Sequence, residues 1–531
     1  MRSNFGSTMR ILRLVAALAT AALLLVPPPS AAARPTLAQA IARLTSNPRY
    51  ARGYFGIAVY DIDHRRMLYA RDAQHLFVPA STTKTLTEGT ALGVLGPNFR
   101  FRTPVYRTGP VAGGVLHGDL VLVASGDPDI SQRIQRNGTL AFENEDHAYD
   151  GSPETKAVPG DPLAVLRDLA KQIAARGIHA ITGRVFVDAT LFPDAGMEAG
   201  TGTDVNPMIL NDNIIDVIVA PGARAADPAR VVSISPQTPY ARFVNAARTA
   251  GPHTDDTLAM TDADDGHGGR IVTIAGTVKS TDKPTLYAYR VANPPRFAED
   301  ALTIALRDAG VAIENPPPDA PFVRAAYASS YLPANLVAEH VSPPLREDVR
   351  VTLKVSDNLH AAEMPYLLGV YAGHARHGRL QAGFDVEARF LRNAGMDLSG
   401  ASQSDGEGAY DYFAPAFMVH YLAWVHSQPW YGDFYRALPI LGVDGTLADV
   451  QTGAPARGRV HAKTGAWGWP NLLSHGAVYS RGLVGYVTTR SGKHVAFCIY
   501  VNDIAFGHDV DGVAILGQLL GAIANAIYVD G

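Results

Sequence analysis

The sequence predicts an α/β (α+β) fold in which strands and helices from the two ends of the chain form one domain, split by a large, mostly β inserted block. Three observations carry this. Two strand patterns and a helix come early, and a strand-rich stretch with a final apolar helix closes the chain. Between them, from about residue 97 to 320, the texture changes to short strands and polar turns. At 531 residues the chain also exceeds what one hydrophobic core usually organises.

In order, residues 1–33 read as an export signal. Arg2, Arg10 and Arg13 precede an apolar run from Leu14 to Val26, then prolines and the small residues Ser30 to Ala33, where cleavage is expected. The run is short for a bilayer span, so no transmembrane anchor is expected once the signal is cut. Residues 34–96 form the first part of the split domain, with a helix from Thr36 and strands at Tyr54–Asp61 and Arg66–Ala70. A helix beginning at Ser81 is stopped by Gly96-Pro97. The inserted block, 97–320, contains a polar excursion from about Ile130 to Pro159, helices near Pro162–Arg176 and Ala298–Ala309, and several strands. Residues 321–531 complete the domain. A helix over Val351–Leu368, two more helices, strands at Arg459–Thr464, His475–Val478, Leu483–Thr488 and His494–Val501, and a helix over Val513–Ile527 are expected.

Composition narrows the function. The formal net charge is −4 and no long basic run occurs, so nucleic-acid binding has no support. The single cysteine, Cys498, lies in an apolar strand pattern and reads as a core thiol. No Cys/His spacing suggests a metal site, and no cofactor is expected. Asp262, Asp264 and Asp265 resemble a calcium loop but lack its terminal Glu, so a hairpin turn is the better reading.

Lysine is scarce, with eight in the chain, which makes Ser81-Thr82-Thr83-Lys84 informative. Residues i and i+3 share a helix face, so the Ser81 hydroxyl and Lys84 amine can meet. A lysine removes a serine proton only where burial or a second cation lowers its pKa. Taken alone, Ser81 is as well explained as a helix cap. Ser280-Thr281-Asp282-Lys283 repeats the spacing, but Pro284 disfavours a helix there. In Ser356-Asp357-Asn358, Ser356 can relay a proton and the Asn358 amide can position a peptide, while Asp357 faces its own helix or turn; capping is again the plain alternative. Lys463-Thr464-Gly465 ends a strand pattern. Lys463 there supplies positive potential for a substrate carboxylate and helps depress the Lys84 pKa. Thr464 can hydrogen-bond the same carboxylate, and Gly465 allows a substrate backbone to come close. The N–H of Ala466 can oppose that of Ser81 in an oxyanion hole.

Together, in this order, the three motifs are the signature of penicillin-binding proteins and class A β-lactamases. With Gly126-Asp127-Pro128, Leu210-Asn211-Asp212-Asn213, Asp405-Gly406 and the Leu438–Leu447 run, the chain resembles the D-alanyl-D-alanine carboxypeptidase/endopeptidase family, the class C low-molecular-mass penicillin-binding proteins. The 275 residues separating Ser81 from Ser356 match that family's insertion and are too many for a class A β-lactamase. The resemblance implies a serine DD-peptidase/β-lactamase-like domain, an antiparallel sheet flanked by helices. It implies a periplasmic or extracytoplasmic enzyme that cleaves peptidoglycan stem peptides through an acyl-enzyme on Ser81 and is acylated there by β-lactam antibiotics. Cross-link cleavage is a second implied activity. Two departures stand out: Glu407 occupies the place of a serine usual in the family's Asp-Gly-Ser-Gly, and Ala466-Trp467-Gly468-Trp469 replaces the usual Thr-Leu continuation. The rival readings are a β-lactamase and a non-catalytic β-lactam sensor or peptidoglycan-binding protein.

Overall fold

The computed structural model describes residues 35–315, 322–375, 379–508 and 510–531. The expected signal segment lies outside the described residues, as does the position expected for the end of the insertion.

The central sheet has five antiparallel strands: β1 (Tyr54–Asp61), β2 (Arg66–Arg71), β3 (Val460–Asn471), β4 (Gly476–Thr488) and β5 (His494–Phe506). Their order across the sheet is β2-β1-β5-β4-β3, so the C-terminal hairpins are zipped onto the N-terminal one. Strands β3 and β4 run further than their patterns suggest, carrying Trp467 and Trp469 within β3 rather than in a loop. Pro470 is tolerated because β3 is the sheet edge, where one side of the strand needs no ladder partner.

Helices cover both faces of this sheet. On one side α1 (Leu37–Thr45) and α5 (Gly512–Asp530) bury Ile41, Leu516, Leu520, Ile523 and Ile527 against Ile57, Phe497 and Ile499. The opposite face receives α2 (Lys84–Val94), α4 (Asn358–Tyr371) and Pro415–Val425, where Leu86, Met364, Met418 and Tyr421 meet Val484, Ala496 and Cys498. Each fully buried aliphatic side chain contributes roughly 1.5–3 kcal/mol, so the two faces together hold the split domain closed. Helix α5 is long and apolar enough to cross a membrane, yet its apolar face is committed to this core. Cys498 is a buried free thiol, as its pattern suggests.

The expected single helix through the Ser-Asp-Asn motif is instead two, α3 (Leu345–Val355) and α4, broken at Ser356. Ser356 adopts φ 69°, a left-handed conformation that a non-glycine residue takes only at a conformational cost. Asp357 caps α4 by accepting from the His360 N–H at 3.2 Å.

The middle block has its own cores. Arg102–Arg107, Leu120–Val123 and Val185–Asp188 form a sheet joined at its edge by Leu336–Val341. That pairing carries the block's sheet past residue 320, the end expected for it. Helices Ala164–Ala175 and Pro294–Asp308 pack on this layer, and Asp262 lies in the hairpin Ala259–Asp264/Arg270–Ala275, where it pairs with Arg270. Lys279 and Ser280 stand at a strand end and turn, with no helix.

Candidate active site

Ser81 lies in a 3₁₀ turn, Ala80–Thr83, that leads directly into α2. The turn brings Lys84 Nζ to 2.7 Å from Ser81 Oγ. The same amine donates to Asn358 Oδ1 at 2.6 Å and to the backbone carbonyl of Glu407 at 3.3 Å. On β3, Lys463 Nζ donates to Ser356 Oγ at 2.8 Å and to the Thr464 carbonyl at 2.9 Å. Thr464 Oγ1 sits 2.7 Å from Thr446 Oγ1. All five polar side chains named from the motifs therefore converge, with Thr464 beside them.

Gly465 has a different structural reason from the one expected. A Cβ there would lie 2.3 Å from the Pro79 carbonyl and 3.1 Å from the Thr82 N–H, so only glycine lets β3 press against the Ser81 turn. This contact places the strand carrying Ala466 alongside the N-terminus that carries Ser81.

Electrostatics favour neutral amines. Burial pushes Lys84 below its ordinary pKa, opposed by the carboxylates of Glu407, Asp357, Glu198 and Asp405. Lys463 is driven well below its usual value by burial first, then by the charges of Lys84 and Arg481. Burial is the largest influence on both amines, and the charge of the neighbouring lysine adds to it at Lys463.

A cavity of about 660 Å³ opens over this group, lined by Ser81, Ser356, Asn358, Thr464, Ala466 and Trp467 among others. Trp469, 42% exposed, lies further along β3 with its ring 6.1 Å from that of Trp467. Trp467 is a wall of the cavity and Trp469 belongs to the neighbouring surface.

The residues that sequence reasoning missed come from the middle block. Tyr149 Oη donates to the Ser356 carbonyl at 2.6 Å and to Asn358 Oδ1 at 3.0 Å. Asn144 accepts from the Gly445 N–H at 2.7 Å. Gly200 lies so close to Asn358 that a Cβ would fall 1.9 Å from its Nδ2. The stretch from Ile130 to Pro159, expected as a surface excursion, is thus partly a wall of the site. Its anchor is Arg133, fully buried and paired with Asp146 and Asp212. His147 bridges Asp212 and Asp216, and His360 bridges Asp348 and Asp212. Burial alone would keep His147 neutral, but the carboxylates on its two nitrogens push its pKa up to about 10. His360 is raised likewise by Asp357, Asp212 and Asp348 against its burial. Three groups here have ligand atoms near enough to hold a metal, Asp129-Asp348-His360 among them. Since both nitrogens of each imidazole already face carboxylates, the histidines act as cations within an ion network rather than as lone-pair donors.

A serine beside a buried lysine, on a helix packed against an antiparallel sheet whose edge strand bears Lys-Thr-Gly, defines a serine hydrolase of β-lactamase-like fold. The sequence pattern of the D-Ala-D-Ala carboxypeptidase 3 (S13) family matches residues 37–516, and the chain belongs to that family. It is similar to the D-alanyl-D-alanine carboxypeptidase of Actinomadura sp. (strain R39), 27% identical over 88% of this chain and 81% of the relative. It is also similar to D-alanyl-D-alanine carboxypeptidase DacB of Haemophilus influenzae, 22% identical over 85% of this chain and 86% of that one. The crystal structure of penicillin binding protein 4 (dacB) from Haemophilus influenzae shares the fold, with a TM-score of 0.71, 21% identity, and coverage of 92% of this chain and 99% of that chain. The protein is a serine-type D-Ala-D-Ala carboxypeptidase that acts on peptidoglycan.

Proposed function

We propose that Lys84 is the base and Ser81 the nucleophile of an acyl-transfer cycle on the terminal D-Ala-D-Ala of a peptidoglycan stem peptide. The observation that carries this is the pair of short contacts, Lys84 Nζ to Ser81 Oγ at 2.7 Å and Lys463 Nζ to Ser356 Oγ at 2.8 Å, in one cavity. Lys84, its amine disfavoured as an ammonium by burial, takes the hydroxyl proton as Ser81 Oγ bonds to the carbonyl carbon. The N–H groups of Ser81 and Ala466 hold the oxyanion, and Ser356, held by Lys463, gives its hydroxyl proton to the departing amine and regains the one that Lys84 took from Ser81. Lys463 and Thr464 receive the terminal carboxylate, and Asn358 orients the peptide. Water then cleaves the Ser81 ester and regenerates the hydroxyl.

A β-lactam presents the same carbonyl and acylates Ser81 in the same way. A cross-linked stem offers the same bond with a longer amine as leaving group, so endopeptidase cleavage uses the same residues. The substrate lies outside the cytoplasmic membrane, which supports export by the N-terminal segment. A β-lactamase reading would need a base for rapid deacylation. Glu387 does not line the cavity, so it gives that reading no support.

The test is incubation with pentapeptide and cross-linked muropeptides, with mass analysis of products and of Ser81 after penicillin treatment. Release of D-alanine and a stable penicilloyl adduct are expected, both lost in Ser81→Ala. Full activity of that variant overturns the assignment, and rapid turnover of penicillin favours the β-lactamase.

A further inference from the structure

Glu407 stands where the resemblance leads one to expect a serine, and its surroundings give it a task. The turn that carries it is tightly held. Asp405 accepts from the N–H groups of Glu407, Gly408, Ala409 and Tyr410. Gly408 is pressed against the Ser81 turn, since a Cβ there would lie 2.1 Å from the Ala80 carbonyl. Glu407 is thereby fixed with its backbone carbonyl 3.3 Å from Lys84 Nζ and its side chain on the cavity wall. Its Oε1 accepts from the Ala199 N–H at 2.6 Å, and its carboxyl hydrogen-bonds to that of Glu198.

The two carboxyls differ in support. Glu198 accepts from the N–H groups of Gly200, Thr201 and Thr203 and from the Thr201 hydroxyl, which favours its ionised form. Glu407 has one such donor. Two buried carboxyls in contact hold one proton between them, and the better-solvated partner ionises first. Glu407 is therefore the protonated member.

We propose that Glu407 is a positioning residue for the proton balance of Lys84: one proton is shared between the lysine and the Glu198–Glu407 pair, and its residence on Glu407 leaves the Lys84 amine neutral and able to accept the Ser81 proton. This rests on the assignment of Lys84 as base. The groups facing the lysine are Glu407 and Asp405 from their turn, Glu198 from the middle block and Asp357 from the start of α4. Lys463 faces it from β3. With Glu407 ionised, the added negative charge holds Lys84 as an ammonium and the nucleophile stays inactive. Burial is the largest influence on Glu407 and pushes its pKa up to about 8, consistent with a proton retained at neutral pH.

The experiment is the rate of Ser81 acylation by a chromogenic β-lactam from pH 5 to 10 in wild type, Glu407→Gln and Glu407→Ser. In wild type the state with Glu407 ionised and Lys84 an ammonium competes with the reactive one; both variants abolish it, so the rising limb of the profile moves to lower pH, by about 0.5–1 unit. Serine is the smaller replacement and gives a second folded variant should glutamine disturb the turn. A side chain that only packs would change the rate at every pH and leave the limb in place. An unshifted limb in proteins that still acylate overturns the proposal alone. Wild type that takes no β-lactam overturns the reading beneath it, and this proposal with it.

Discussion

Lys84 and Asn358 meet through a 2.6 Å hydrogen bond from Nζ to Oδ1, although 274 positions separate them in sequence. The amide oxygen fixes the lysine's position beside Ser81 without adding a full charge. Asn358→Ala leaves a buried amine short of an acceptor and free to swing from the serine. Acylation should fall on the order of 100-fold, with less effect on substrate binding. Pre-steady-state acylation rates and a titration with substrate separate the two.

Tyr149 links the middle block to both members of the Ser-Asp-Asn motif. Tyr149→Phe removes the hydroxyl whose single hydrogen is shared between the Ser356 carbonyl and Asn358 Oδ1. At roughly 0.5–1.5 kcal/mol for that hydrogen bond, kcat/KM for D-alanine release should drop by up to about 10-fold. A fall this large with an unchanged melting temperature marks the contact as one that orders the site. An unaltered rate removes Tyr149 from it.

Gly465→Ala places a methyl 2.3 Å from the Pro79 carbonyl. Either β3 retreats from the Ser81 turn or the turn distorts, at about 1–3 kcal/mol. Melting temperature and penicillin acylation should fall together. Retention of both would mean the strand has room that the structure denies it.

Arg133 neutralises two buried aspartates, Asp146 and Asp212. Arg133→Met strips Asp146 of its guanidinium and leaves Asp212 only its histidines, and a loss of about 3–5 kcal/mol is expected in urea unfolding. The penalty should shrink as pH falls and the carboxylates protonate.

The pH dependence of stability follows from His147 and Glu387. Between its aspartates, His147 has a folded pKa of about 10, above its unfolded value. Its contribution is fully present below the unfolded pKa and is lost as pH rises toward 10. Burial raises Glu387 from its ordinary 4.5 to about 8, so the folded state resists an ionisation that the unfolded chain allows, and this erodes stability between those two pH values. Melting temperature should decline from pH 6.5 to 9.5. In Glu387→Gln the decline should be shallower.

Much of the site was legible because each motif is local. Ser81 and Lys84 are brought together by one helical turn, and Lys463-Thr464-Gly465 by one strand. The resemblance added their mutual placement. Contacts that depend on long-range packing left no spacing to read, among them Tyr149, Glu198 and Gly200. The break at Ser356 was hidden for another reason. The residues on both sides favour helix, and the left-handed turn is imposed by the Asp357 cap and by packing around Ser356. Strands β3 and β4 outran their patterns because their hairpin continues to pair beyond the core, across Trp469 and Pro470.

The contacts of Tyr149, Asn144 and Gly200 bear on how the enzyme matures. The reactive group is a joint between the split domain and its insertion, so neither part alone presents a finished cavity. The proposed nucleophile, Ser81, is encoded early in the chain, but its partners at Ser356 and Lys463 follow after the whole middle block. On the proposed mechanism, an unfinished or misdocked chain lacks the arranged amines that activate Ser81. Penicillin labelling should then report complete assembly rather than the mere presence of the serine, with no label taken up until the last strands are in place.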